Sequence, residues 1–291
     1  MKQFLKLTLS IIILVIILKI TNHKYSFDIL TNNISLYLIY LPFLIISLSI
    51  IALRWKKIFI MATGQKISYL QSLRLSLYSF GYNVVLFTGA GDLSKFYYVK
   101  NAKFEELSSI IIVERFSGLV MGLSINCIII IFFFYNLFYA SLVIFLLVIL
   151  LIHLVKNNIY SKHLPYININ HYHFSKILNN KDFYFILILS GCLQAVFYLN
   201  YFFLINNFGV NISFYQTLLF ISLLSIANSL PFFYSGFGAR EVVGLLITGI
   251  ILIDIKVLID FTLTIGLLNL SLGLIVIMFI QLVSIKKKYL W

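Results

Sequence analysis

Charge is the scarcest commodity in this chain. Only 11% of its 291 residues are Asp, Glu, Lys or Arg, while 62% are hydrophobic and the mean hydropathy is +1.03. So few polar groups cannot cover the surface of a soluble fold, whereas a lipid solvent asks for about 20 apolar residues per spanning helix. Acidic residues are rarer still, nine against 22 basic ones, for a net charge of +13. Nucleic acid is not the partner that this excess indicates. The basic residues gather at the ends of apolar runs, as in Arg54-Trp55-Lys56-Lys57 and Lys286-Lys287-Lys288, which reads as cytoplasmic loop charge beside anionic lipid headgroups. The two cysteines, Cys127 and Cys192, lie inside apolar runs. They support neither a disulfide framework nor a zinc site. With three prolines there is no Pro/Ser-rich linker, so residues 1–291 are expected to form a single integral membrane domain. A Walker motif, a Ser-His-Asp order, a His-Glu-x-x-His helix and an Asp-x-Asp metal pair are all missing.

Long apolar runs are what the chain has. Short alternating strands, the mark of an outer-membrane barrel, do not occur, so an all-α polytopic bundle is expected. Spans read at 4–20, 36–53, 110–134, 138–154, 183–205 and 262–283. Apolar segments at 70–88 and 214–233 each run into a Gly-rich break, and a short apolar piece, 242–253, follows the second. Six to nine membrane segments result, two of them re-entrant or broken. The apolar stretch after Met1-Lys2 resembles a signal peptide, but Ile20-Thr21-Asn22-His23 offers no pair of small residues for cleavage, so an uncleaved first span is expected.

Basic loops set the orientation. Arg54, Lys56, Lys57 and Lys66 place their loop in the cytoplasm, and so do the polar stretch 155–182 and the Lys286-Lys287-Lys288 tail. A full crossing by 70–88 would put Lys95, Lys100, Lys103 and the 155–182 loop outside. A re-entrant 70–88 restores the parity, and non-helical backbone at that depth must be buried in protein or line a wet cavity. For 214–253 the parity admits two crossings or one re-entrant pair; the likeness of its break to the first favours the re-entrant form. Both termini are then cytoplasmic.

The two breaks carry the chemistry. The first reads Thr88-Gly89-Ala90-Gly91-Asp92-Leu93-Ser94-Lys95, the second Pro231-Phe232-Phe233-Tyr234-Ser235-Gly236-Phe237-Gly238-Ala239-Arg240-Glu241. Each is Gly-X-Gly, then charged residues opening a new helix. Paired breaks in corresponding places point to a midplane site in transporters built from inverted repeats. Gly89, Gly91, Gly236 and Gly238 let a ligand approach the backbone. The first N–H groups of the following helices, with the helix dipole, favour an anion. Lys95 and Arg240 would add a cation beside them, and Glu114-Arg115 opens the 110–134 span. Structural readings stand next to these: Asp92 as a helix cap, Glu241 as a partner of the helix dipole, Lys95 as an ordinary loop cation. A charge deep in lipid costs about 2.5–3.5 kcal/mol, which favours a role for Arg240 and Glu241. Asp92, Lys95, Glu114, Arg115, Arg240 and Glu241 are the candidate substrate-binding residues. His171-Tyr172-His173 lacks a third ligand at a telling spacing, so neither metal nor cofactor is expected. Asp254 and Asp260 are read as flanking an exposed turn with Lys256.

At these motifs the chain resembles the lysylphosphatidylglycerol synthase transmembrane-region family, also called flippase-like integral membrane proteins. The resemblance rests on Leu53-Arg54-Trp55-Lys56-Lys57, on Tyr82-Asn83 leading to Gly89-Ala90-Gly91-Asp92-Leu93-Ser94-Lys95, on Glu114-Arg115, and on Pro231 with Gly236-Phe237-Gly238-Ala239-Arg240-Glu241. In order these cover nearly the whole chain. Two departures stand out: Leu86-Phe87-Thr88 replaces the family's usual proline, and Lys95 stands where Arg is common. The soluble aminoacyl-transferase domain of the full-length synthases has no counterpart here. The resemblance therefore implies the membrane-embedded translocating part rather than lysine transfer, in a bacterial inner membrane. The expected function is translocation of an anionic phospholipid or polyprenyl-phosphate-linked headgroup by alternating access, with homo-oligomers or envelope-biosynthesis proteins as partners. A membrane-embedded transferase using Asp92 or Glu241 as a base, or an accessory scaffold in envelope lipid or polysaccharide synthesis, are the alternatives.

Overall fold

A computed structural model describes residues 34–85, 90–99, 102–133, 176–208, 212–228, 239–248 and 254–285, with a few isolated helical positions elsewhere. Outside the described residues fall nearly all of the expected spans 4–20 and 138–154, residues 155–175 of the polar loop, the turns of both breaks with Gly89, Gly236 and Gly238, the Arg240 side chain and the C-terminal lysines.

Every described element is an α-helix: α1 (Ile34–Thr63), α2 (Tyr69–Val85), α3 (Ala90–Tyr98), α4 (Phe104–Phe133), α5 (Phe183–Asn207), α6 (Phe214–Asn228), α7 (Ala239–Thr248) and α8 (Ile255–Ile285). The all-α membrane architecture read from the sequence is what the structure has. Four stretches are long and apolar enough to cross a bilayer: Ile34–Thr63, Phe104–Ile129, Phe183–Asn207 and Ile255–Phe279. Large apolar side chains stay exposed along them, among them Leu38 and Ile45 on α1, Ile188 and Phe203 on α5, and Met278 and Phe279 on α8. Water would make such surfaces a liability, and lipid makes them a solvated face.

The spans overrun the ends expected for them. Helix α1 continues past Leu53 through Arg54-Trp55-Lys56-Lys57 to Thr63, and at about 1.5 Å per residue its 30 residues exceed the ~30 Å hydrocarbon core. The stretch Ile58-Phe59-Ile60-Met61 resumes the apolar pattern after Lys57, so nothing in the sequence breaks the helix there. It ends at Gly64, whose φ of +74° is the left-handed conformation glycine adopts without strain, and whose N–H donates to the Ile60 carbonyl at 2.8 Å. Helix α8 likewise starts seven residues before the expected 262. Asp254 caps it, accepting from the Lys256 N–H at 2.9 Å, and Asp260 lies within the helix rather than beside a turn.

The described helices repeat a plan. Lengths of 30, 17, 9 and 30 residues in α1–α4 are followed by 25, 15, 10 and 31 in α5–α8, with a Gly-X-Gly break between the second and third of each set. The second helix of each set opens with the same capping box. In Ile67-Ser68-Tyr69-Leu70-Gln71 the Ser68 N–H donates to Gln71 Oε1 at 2.9 Å and the Gln71 N–H to Ser68 Oγ at 3.2 Å. In Ile212-Ser213-Phe214-Tyr215-Gln216 the matching bonds are 3.0 and 3.2 Å. Two orphan donors are thus satisfied reciprocally at the same place in both sets.

The chain forms two compact units. One holds residues 45–79 and 92–196. Its core joins Trp55, Ile58 and Phe59 of α1 to Leu75 of α2, Ile110 and Val113 of α4, and Ile177 and Ile186 before and within α5. Between lipid-solvated helices there is little hydrophobic drive, so close packing over small residues carries association. Gly191 of α5 supplies it, where a Cβ would come within 3.0 Å of Met121 of α4, while Gly118 and Gly122 of α4 face Arg54 and Gln194. The other unit holds residues 1–44, 80–91 and 197–288. There Phe261 of α8 meets Tyr201, Phe208 and Phe220 edge-on or tilted at 5.5–6.1 Å. Helix α7 packs on α6 and α8. Tyr40 hydrogen-bonds Asn269, Tyr198 hydrogen-bonds Ser222, and Gly81 of α2 lies so close to α8 that a Cβ would come within 2.8 Å of Ile277.

Candidate functional site

Three helices of the first unit bring five ionic side chains together. On α3, Asp92 and Lys95 are three residues apart and so share a face. On α4, Glu114 and Arg115 are neighbours about 100° apart around the helix, so one turns inward and the other outward. Arg54 comes from the middle of α1. Lys95 is 1% exposed, Glu114 5%, Arg54 6% and Asp92 8%, whereas the Arg115 side chain is 53% exposed at the rim.

The contacts form a chain. Lys95 Nζ sits 2.6 Å from Glu114 Oε2 and 3.5 Å from Asp92 Oδ1. Arg115 directs Nε (2.9 Å) and Nη2 (2.6 Å) onto the single oxygen Oδ2 of Asp92. Ser79 of α2 donates to Asp92 Oδ1 at 3.5 Å. Arg54 places Nη2 3.6 Å from Glu114 Oε1, an ion pair without a hydrogen bond, and donates through Nη1 to Ser190 Oγ of α5 at 3.0 Å. Gly118, one turn beyond Glu114 on the same face of α4, faces this contact: a Cβ there would stand 3.5 Å from Arg54 Nη1, in ordinary van der Waals contact. Lys95 Nζ also lies 5.8 Å from the centre of the buried Trp55 ring, within cation–π range.

Charge does not balance within the cluster. Three cations face two carboxylates, which leaves one positive charge; the four buried members balance, so the excess rests with Arg115 at the rim. Each carboxylate oxygen already has a cation beside it, yet Arg54 Nε and Trp55 Nε1 are buried donors with no acceptor among the described residues. Taking such ions out of water costs several kcal/mol apiece, and the cost is met only when partners are complete. What the arrangement lacks is an acceptor carrying negative charge.

Of the expected site residues, Asp92, Lys95, Glu114 and Arg115 meet in this cluster. Asp92 turns its carboxylate to Arg115, Lys95 and Ser79, so its contacts are those of an ion-pair partner. Gly91 is in α3, and its N–H, one of those expected to face an anion, donates instead to Asn83 Oδ1 at 2.9 Å. Arg240 and Glu241 begin α7 in the other unit, where Glu241 is 0% exposed. The reading of Arg54 as a cytoplasmic loop charge is corrected: it is a buried helical residue paired to Glu114. Counting apolar runs stops at the first charge and so placed it at a helix end. The apolar pattern resuming at Ile58 was the signal that the helix runs on. Cys127 is buried on α4 and Cys192 exposed on α5. Among the described residues no three His, Cys, Asp or Glu side chains group as metal ligands.

The profile of the lysylphosphatidylglycerol synthase TM region matches residues 3–277. The chain belongs to that family. Membership and the four spanning-length helices together make it a multi-pass membrane protein of lipid biosynthesis or transport. No curated protein and no solved structure shows significant similarity to it.

Proposed function

We propose that this member of the family binds an anionic lipid or lipid-linked headgroup in the bilayer and carries it across, acting as a transporter rather than a lysyltransferase. The observation that supports this most is the ionic cluster, four of its five members buried, with one positive charge in excess and donors left over. A headgroup phosphate would complete it while the acyl chains stay in lipid. Asp92 and Glu114 hold the cations in place, since an uncompensated ion there would be too costly. Arg240 and Glu241, at the start of α7 after the second break, are proposed as headgroup-binding residues of their own unit, in keeping with the repeated helix plan. The drive comes from a gradient or from consumption of the lipid on the far side. The bacterial inner membrane, with both termini in the cytoplasm, is the setting this reading assumes, and envelope biosynthesis supplies the lipid.

Reconstitution tests the proposal. Vesicles holding the purified chain and labelled phosphatidylglycerol or polyprenyl-phosphate-linked sugar should show movement of label between leaflets, above protein-free vesicles. Arg240→Ala should slow it. Movement no faster than in protein-free vesicles for every anionic headgroup would remove the transport reading.

A further inference from the structure

The cluster contains two kinds of cationic group. Lys95 and Arg115 spend their closest contacts on Glu114 and Asp92, at 2.6 Å each. Arg54 does not. Its Nη1 goes to a neutral hydroxyl, its Nη2 stands off Glu114 at 3.6 Å, and its Nε has no acceptor among the described residues. The next residue on α1, Trp55, also holds a buried indole N–H without an acceptor among the described residues, although its ring is fixed by stacking on Phe59 at 5.1 Å. Buried donors left unmade are costly, and natural structures leave few of them. Two on consecutive residues, beside a cluster with a surplus of one positive charge, are complementary to one kind of group: a singly charged oxyanion with two free oxygens.

We infer that Arg54 and Trp55 are the ligand-contacting pair of the site and that they take a phosphodiester monoanion. One unesterified oxygen accepts from Arg54 Nε and the other from Trp55 Nε1. Lys95, Arg115, Asp92 and Glu114 are then positioning residues, which hold Arg54 in place and fix the charge of the site. This rests on the anion-binding reading above and sharpens it in two ways: it moves the direct contacts from α3 and α4 to α1, and it sets the ligand's charge at minus one. A phosphomonoester, with its second charge, would overfill the balance. A diester is the chemistry of a phospholipid headgroup and equally of a small soluble diester.

The indole is its own reporter. The chain has two tryptophans, Trp55 and Trp291, so 15N-labelled tryptophan gives two side-chain signals, which Trp291→Phe assigns. The full chain in a neutral maltoside micelle is titrated with dimethyl phosphate, methyl phosphate, dihexanoyl phosphatidylglycerol and dihexanoylglycerol, with calorimetry in parallel. The expected result is a saturable downfield shift of the Trp55 indole proton with dimethyl phosphate or the phosphatidylglycerol. Methyl phosphate should bind no tighter than the diester, and the uncharged diacylglycerol should give no shift. Response to both diesters identifies the phosphate alone as the recognised group; response to the lipid only identifies a lipid headgroup. Trp55→Phe, which keeps the stacked ring, and Arg54→Lys, which keeps the charge, should each weaken binding about tenfold. Their thermal unfolding in micelles should remain close to that of the parent chain. If calorimetry shows anion binding while the Trp55 signal stays still and both variants bind as the parent does, the pair is not the contact, and the anion-binding reading survives on other residues. A clear preference for methyl phosphate overturns the monoanion assignment. If no anion binds the parent chain, the broader reading falls with this one.

Discussion

Lys95 and Glu114 show how much depends on completeness. Their 2.6 Å contact is buried, and neither has water to fall back on. Removing one member of a buried pair costs about 3–5 kcal/mol, because the other charge is stranded, whereas replacing both with apolar residues of similar volume is often neutral. Glu114→Gln should therefore lower the thermal midpoint of the chain in detergent by that equivalent. Lys95→Met with Glu114→Leu should recover part of the loss, the remainder being the cost of Arg54 left without its carboxylate. A double variant that loses the sum of the two single effects would mean that the residues act independently. At this scale the sequence was legible where a charge interrupts an apolar run: Asp92, Lys95, Glu114 and Arg115 all stood out. Arg54 was hidden by its company. Trp55, Lys56 and Lys57 follow it, and three basic residues in four look like a loop. Only the packing of α1 against α4 over Gly118 separates the buried cation from Lys57, which pairs with Asp182 in the open at 3.5 Å.

Helices were legible in their existence and less so in their ends. Apolar windows found each span that the structure describes, but helices α1, α4 and α8 extend beyond them because amphipathic turns continue a helix without continuing its hydropathy. The stop signals were in the sequence nonetheless. Gly64 ends α1, and the Ser-X-X-Gln pattern at Ser68 and Ser213 opens α2 and α6. Two expectations follow for the elements. Ser68→Ala and Ser213→Ala should each cost about 1 kcal/mol, read from thermal unfolding in micelles, since each takes the hydroxyl from an equivalent cap. Unequal costs, with one near zero, would argue that the boxes are not counterparts. At Gly81 an added Cβ meets Ile277 Cγ1 at 2.8 Å, with the Gly273 carbonyl at 3.4 Å. Gly81→Ala should destabilise by about 1–3 kcal/mol through overpacking, and pairing it with Ile277→Ala should relieve part of that. No relief would mean that the approach is held by backbone instead.

For the whole molecule, the sequence showed the all-α membrane class and the family through short motifs spread over nearly its full length, and it showed the duplicated plan only through two Gly-X-Gly breaks. The plan becomes fuller in three dimensions because helix lengths and cap hydrogen bonds are not composition. The proposed function rests on the ionic cluster held by the first set of helices, in a chain whose family is one of lipid biosynthesis or transport. The central claim is that this cluster carries an anionic headgroup across the bilayer. Its most direct test is leaflet-to-leaflet movement of labelled phosphatidylglycerol in vesicles containing the parent chain, Arg54→Ala or Lys57→Ala at matched protein content. Arg54→Ala should slow movement at least about tenfold, the scale of one charged hydrogen-bonding group, while Lys57→Ala should match the parent. Equal movement by all three would contradict the claim.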